Sequence, residues 1–144
     1  LAWIEVNRRK VDDLSGGKGR DLMIGGDGAD RLVGNSDDDL LVAGFTAFDS
    51  DSHALDHILE EWASGGSYAL RVANIKNGGG LTGGFRLNGD DGPNQTVFND
   101  DDADTLTGSS GLDAFWANLV ADNGGAIDKI TDLGGSESGN DTDF

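Results

Sequence analysis

Aspartates recur along this chain at a fixed spacing. Cutting residues 7–42 into nines places Asp12, Asp21, Asp30 and Asp39 sixth in successive blocks, with Leu14, Met23, Leu32 and Leu41 eighth. The beat returns later, with Asp104, Asp113 and Asp122 in sixth positions and Leu106 and Phe115 in eighth positions. Carboxylates repeated in one register are hard oxygen ligands, the kind that holds a divalent cation. Other chemistry is poorly supplied. The chain has no Cys and two His, and it contains no G-x-S-x-G elbow and no phosphate-cradling P-loop. With this many Asp, a Ser/His/Asp triad can be drawn in too many ways to carry weight. Nothing supports catalysis, and the chain reads as a non-enzyme.

Composition points the same way. Of 144 residues, 24 are Gly, and the formal net charge is −17. Only Glu5, Glu60, Glu61 and Glu137 are Glu, so 23 of the 27 acids are Asp. A chain acidic for solubility alone draws on Glu as well, whereas Asp suits turns and metal sites. Such a charge repels phosphate, which excludes nucleic acid and anionic membrane surfaces as partners. No apolar run approaches the roughly 20 residues that would span a bilayer.

The blocks at 16–24 (GGKGRDLMI) and 25–33 (GGDGADRLV) both fit G-G-x-G-x-D-x-U-x, where U is a large apolar residue. Block 34–42 (GNSDDDLLV) keeps the first Gly, the Asp and the Leu, and block 7–15 (NRRKVDDLS) keeps only Asp12 and Leu14. Blocks 99–107 (NDDDADTLT) and 108–116 (GSSGLDAFW) carry the later beat. In each block six Gly- and Asp-rich residues make a turn and three make a short strand. Gly17, Gly19, Gly26 and Gly28 supply the positive φ and the close backbone approach that an ion site needs. Two blocks complete one coil, so strands alternate between two parallel sheets about 10 Å apart, with coils about 4.8 Å apart. Eighth-position side chains then form a thin core between the sheets.

This spacing stacks Asp12 on Asp30, Asp21 on Asp39 and Asp104 on Asp122. Stacked carboxylates repel by about 1–4 kcal/mol per pair in effective dielectrics of roughly 80 to 20. Calcium held between them reverses the sign, with turn carbonyls and acids such as Asp27 and Asp37 completing six to eight oxygens. Folding is then coupled to metal binding. The run Asp100–Asp102 reads mainly as a solvated acidic turn.

These nonapeptides resemble the hemolysin-type calcium-binding repeats of the RTX (repeats-in-toxin) family. The resemblance implies a right-handed parallel β-roll that binds several Ca2+ ions at its turns. It also implies a secreted, extracellular or cell-surface location, reached from a Gram-negative cell through type I secretion machinery with an uncleaved C-terminal signal. The stretch 128–133 (DKITDL) is similar to the D-x-I-x-D-φ segment that follows the last repeat in that family, and the chain ends acidic with a terminal Phe144.

The two repeat blocks are interrupted, since Asp39 and Asp104 lie 65 apart, not a multiple of nine. Within 45–88, Leu55, Ile58, Leu59 and Trp62 follow a helical period, with Asp51 or Ser52 as N-cap and Gly65–Gly66 as a stop. A second helix over 68–76 ends at Asn77–Gly78. The expectation is a short helical hairpin packed on the roll, followed by a flexible Gly-rich loop at 78–84 that only connects. Asp49, Asp51, His53 and Glu60 mimic an EF-hand loop, but Ala54 stands where Gly is required. His53 and His57 lack the H-E-x-x-H context and read as surface residues. Residues 1–6 read as a strand continuing from something upstream.

The chain therefore divides into 1–44 (strand and first repeats), 45–88 (insertion), 89–133 (second repeats) and 134–144 (acidic tail), within one structural domain. The favoured function is a calcium-binding module that folds after export and stabilises or delivers a larger extracellular protein. Its partners are then the rest of that polypeptide or neighbouring subunits. A calcium-rigidified subunit of a surface, adhesive or filament assembly is the alternative, and the non-catalytic tail of a secreted hydrolase is a third reading.

Overall fold

A computed structural model describes residues 2–6, 11–121 and 125–142. The strands are β1 Trp3–Val6, β2 Asp13–Lys18, β3 Asp21–Ile24, β4 Arg31–Ser36, β5 Leu40–Val42 and β6 Phe45–Thr46. After helices α1 Ser52–Trp62 and α2 Tyr68–Asn77 come β7 Val97–Phe98, β8 Thr105–Ser110, β9 Ala114–Ala117, β10 Lys129–Ile130 and β11 Ser138–Asp141. Strands alternate between two parallel sheets. The first sheet runs β1-β3-β5-β9-β11 and the second β10-β8-β4-β2. The architecture is mainly strands in parallel sheets with two helices, compatible with a β-roll.

Register shows how the coils repeat. Leu22 faces Leu40 and Leu14 faces Leu32, a step of 18 residues. Leu32 then faces Leu106 and Leu41 faces Phe115, a step of 74, so 56 residues are inserted into one coil. The last coil steps 24, from Leu106 to Ile130 and from Phe115 to Gly139.

Eighth-position residues fill the space between the sheets: Leu14, Leu32 and Leu106 from the second sheet meet Met23, Leu41 and Phe115 from the first. The first sheet is buried on its other face too. There Leu22, Ile24, Leu40, Val42 and Trp116 pack against Leu55, Ile58, Trp62, Val72 and Ile75 of the helices. The cause is written in the strands. First-sheet strands read Leu22-Met23-Ile24 and Leu40-Leu41-Val42, apolar throughout. Second-sheet strands alternate, as in Asp13-Leu14-Ser15 and Thr105-Leu106-Thr107. Continuous apolar strands need cover on both faces, and alternating ones leave a polar face in water.

The helices form where their caps allow. Asp51 accepts the Ala54 N–H at 3.1 Å to open α1, and Gly78 closes α2 in the left-handed region at φ 74°. An antiparallel pair, β6 with β7, ties the base of the insertion. The Gly-rich loop after α2 differs from the free connector expected of it. It wraps the buried Glu61 carboxylate, which accepts the Leu81 N–H and the Asn74 side-chain N–H at 2.7 Å each. A Cβ at Gly80 would collide with that carboxylate, so glycine there serves close packing.

Candidate metal centre

The turns between the sheets form two rows. In the row entering the first sheet, turns 16–21, 34–39, 108–113 and 132–137 stack one above another. In the row entering the second sheet, turns 25–30 and 99–104 stack, and Asp12 and Asp128 lie at the two ends.

A ladder of carboxylates runs up each row. In the first, the Asp21 N–H donates to Asp39 Oδ1 at 2.8 Å, the Asp39 N–H to Asp113 Oδ1 at 2.8 Å, and the Asp113 N–H to Glu137 Oε1 at 3.3 Å. In the second, Asp12 donates to Asp30 at 2.6 Å, Asp30 to Asp104 at 2.6 Å, and Asp104 to Asp128 at 2.8 Å. The carboxylates of Asp30, Asp39, Asp104 and Asp113 thus each tie their own coil to the preceding one.

Several of these carboxylates are left with an oxygen that the ladder does not reach. The Oδ2 atoms of Asp39, Asp104 and Asp113, and both oxygens of Asp21, are buried without a hydrogen bond. Buried, unpaired carboxylate oxygen is strongly disfavoured unless a cation or a proton compensates it. Burial accordingly pushes Asp39 and Asp104 up to about 8, and Asp21, Asp113 and Asp128 up to about 6. A hard divalent cation is the ligand such oxygens fit. Among the described residues no three acidic or His side chains converge on one point, so backbone carbonyls of the turns have to supply much of any coordination shell.

Glycine placement follows from the same crowding. The Oδ2 of Asp21 packs against Cα of Gly16, leaving 2.5 Å to a would-be Cβ, and Asp39 and Asp113 pack in the same way on Gly34 and Gly108. In turns 16–21 and 25–30 the second and fourth positions are left-handed: Gly17 and Gly19 at φ 102° and 100°, Gly26 and Gly28 at 87° and 112°. The turn that lost these glycines keeps the conformation, with Asn35 at 83° and Asp37 at 73°. Asn and Asp tolerate that region better than other side chains.

The auxiliary acids take different positions. Asp37 is exposed and accepts the Gly19 N–H at 3.0 Å, while Asp27 is exposed on the facing row. Asp100, in the run read mainly as a solvated acidic turn, accepts the Gly28 N–H at 2.7 Å. Together with Asp27, Asp102, Gly28, Ala29 and Val11 it lines a depression.

One stacking partner requires correction. Asp104 is met by Asp128, not Asp122, because the last coil contains 24 residues where 18 were expected. Asp122 itself lies outside the described residues. Asp128 also accepts the Asn118 N–H at 2.7 Å, so both its oxygens are engaged. Asp132 accepts the N–H groups of Gly108 and Ser109, and Glu137 stands where the register would place an Asp. The stretch 128–133 is thus a working part of the last coil. The sequence signal for it was Asp128-Lys-Ile130, a turn acid followed by a strand, displaced by six residues.

Asp38 is a further residue that the nine-residue register did not single out. Burial raises its carboxyl, but the Leu112 N–H and the Arg71 guanidinium outweigh that and hold it below the usual carboxylate range. His53 and His57 pack edge-to-face at 4.6 Å beside Phe85, with His57 on the Leu81 carbonyl.

No curated protein and no solved structure matches the chain. A family model does match, over residues 11–41, which supply Asp12, Asp21, Asp30 and Asp39 and the strands β2 to β5 up to Leu41. The matching model is that of the RTX calcium-binding nonapeptide repeat (4 copies).

Proposed function

We propose that the chain is a calcium-binding module whose parallel sheets close into a right-handed β-roll only when cations neutralise the two carboxylate ladders. The observation that carries this reading is the set of buried, unpaired oxygens on Asp21, Asp39, Asp104 and Asp113, the first two within residues that match a calcium-binding repeat. Asp12, Asp30, Asp27 and Asp37, the turns containing Gly17, Gly19, Gly26 and Gly28, and the Asp100 turn complete the candidate ligand set. Calcium would supply positive charge and accept six to eight oxygens without strict geometry. The chain's own residues would do the rest: the left-handed turns would offer their carbonyls to the cation, and the ladder fixes the coil spacing.

On this reading the two repeat blocks complete one roll only with calcium and stay incompletely folded where calcium is scarce. The module completes its fold after export through a type I route, and it stabilises or delivers a larger extracellular polypeptide. Weak sites, with affinities of about 10⁻⁴–10⁻³ M, suffice outside the cell. The role is structural, and the module performs no catalysis. Circular dichroism during a calcium titration of the EDTA-treated protein tests it. Strand signal should rise cooperatively with calcium, and equal strand content at both extremes would overturn the reading.

The alternative, an assembling subunit, draws support from the sheet ends. β1 has one strand partner, and Trp3 on it is 59% exposed. Open parallel edges accept another chain. Sedimentation with and without calcium separates the two readings, since only assembly predicts calcium-dependent growth in mass.

A further inference from the structure

We propose that the α1–α2 hairpin is a built-in clasp that holds the first-sheet row of turns together without calcium, with Arg71 as the resident cation of that row. The proposal rests on the calcium reading above and divides the molecule into a part that needs the metal and a part that does not.

Residues 62–71 reach all four coils of that row. Arg20, in turn 16–21, donates to the Ser64 carbonyl at 2.7 Å and the Trp62 carbonyl at 3.3 Å. In turn 34–39, the Asp38 carbonyl accepts Trp62 Nε1–H at 2.7 Å, and its carboxylate meets Arg71 Nη2 at 2.6 Å. In turn 108–113, the Asp113 carbonyl accepts the Tyr68 hydroxyl at 2.7 Å. That same hydroxyl oxygen accepts the Ser138 N–H, just past turn 132–137, at 2.7 Å. One short segment thus bridges coils that calcium would otherwise have to hold in register.

Arg71 is built for this position. Its side chain is 3% exposed, it also donates to the Trp62 and Gly66 carbonyls, and its guanidinium lies 4.6 Å from the centre of the Trp62 ring. A buried guanidinium fixed by a bidentate-capable fork and an aromatic face keeps its charge and its place. The facing row is different. Its fifth turn positions are Val11, Ala29 and Ala103, all apolar, where the clasped row has Arg20, Asp38 and Leu112. Among the described residues, none of Asp27, Asp100, Asp102 and Asp104 has an ion pair.

Hydrogen exchange read by mass spectrometry on the full chain, in EDTA and in saturating calcium, tests the clasp. In EDTA, amides of 38–42 and 52–77 should exchange at least roughly tenfold more slowly than those of 31–36 and 105–110. Calcium should bring the two groups together. Arg71→Gln and Asp38→Asn should each erase the difference in EDTA, and Arg71→Lys should retain part of it, having the charge but not the fork. Loss of protection from hairpin and second-sheet strands at one common calcium concentration would overturn the clasp. So would an Arg71→Gln protein whose 38–42 protection in EDTA is unchanged. If calcium alters no protection anywhere, the calcium reading fails, and the Arg71→Gln comparison still decides the clasp.

Discussion

The two rows of turns share one device and differ in another. Both carry a ladder of sixth-position carboxylates that accept N–H groups from the preceding coil. At the fifth position they part in two turns: Arg20 and Asp38 meet the hairpin, whereas among the described residues Ala29 and Ala103 make no such hydrogen bond. The repeat motif leaves the fifth position free, and that freedom is what lets one row become a docking surface while the ladder stays intact. The sheets echo the contrast, one buried on both faces and one on a single face.

The largest expected effect abolishes the contrast by removing what both rows share. Phe115→Ala empties the middle of the inter-sheet core, where the side chain is fully buried, and should cost about 3–5 kcal/mol. Thermal melts in calcium should show both sheets and the hairpin destabilised together. Survival of the second-sheet strands alone would mean that the two sheets do not share a core.

Ligand substitutions should separate the rows. Asp30→Ala with Asp104→Ala strips the open row, and Asp21→Ala with Asp39→Ala strips the clasped row. The first pair should raise the calcium midpoint of folding roughly tenfold or more, about 1.4 kcal/mol. The second pair should raise it less, because residues 62–71 already hold that row. Calcium titrations followed by circular dichroism measure both, and equal midpoints would remove the distinction.

Acidity should act on both rows alike. Asp39 and Asp104, one from each row, are raised to about 8, and Asp21, Asp113 and Asp128 to about 6, from an ordinary 3.8. In metal-free protein the folded state therefore holds protons that the unfolded chain releases. Their stabilising contribution is complete below about 3.8 and is lost as pH rises through about 6 and then about 8. The EDTA-treated protein should melt higher at about pH 5 than at about pH 8.5. Calcium requires the charged carboxylates, so the trend should reverse when it is present. Melting curves across that range in EDTA and in calcium check the sign.

Much of this was legible in the sequence, and the failures have physical causes. The nine-residue register located both ladders up to Asp113 because the step from the second sheet to the first is nine residues on both sides of the insertion. It failed at Asp122 because the connection from β9 to β10 is six residues longer, closed by Asn118, Ala126 and Asp128. Periodicity gives no warning of a widened turn. The hairpin was legible from its caps and apolar spacing, but its docking face was not, since Arg71 and Tyr68 look like ordinary helix residues until Asp38 and Asp113 are brought to them. The information was available in another form: the apolar runs Leu22–Ile24 and Leu40–Val42 announce a sheet covered on both faces.

The smallest effect concerns the turn that lost its glycines. Asn35 holds φ 83° where Gly17 stands one coil below, and its side-chain amide donates to Ser15 Oγ at 2.9 Å and to the Val33 carbonyl at 3.2 Å. Asn35→Gly should be nearly neutral, because relief of the left-handed cost offsets the lost hydrogen bonds and the added freedom of the unfolded chain. Asn35→Ala loses the same hydrogen bonds without that relief and should cost about 1–2 kcal/mol. Denaturant melts in saturating calcium would resolve the pair. An alanine variant as stable as the glycine variant would show that this turn can abandon the left-handed conformation, and with it the backbone geometry that the two rows have in common.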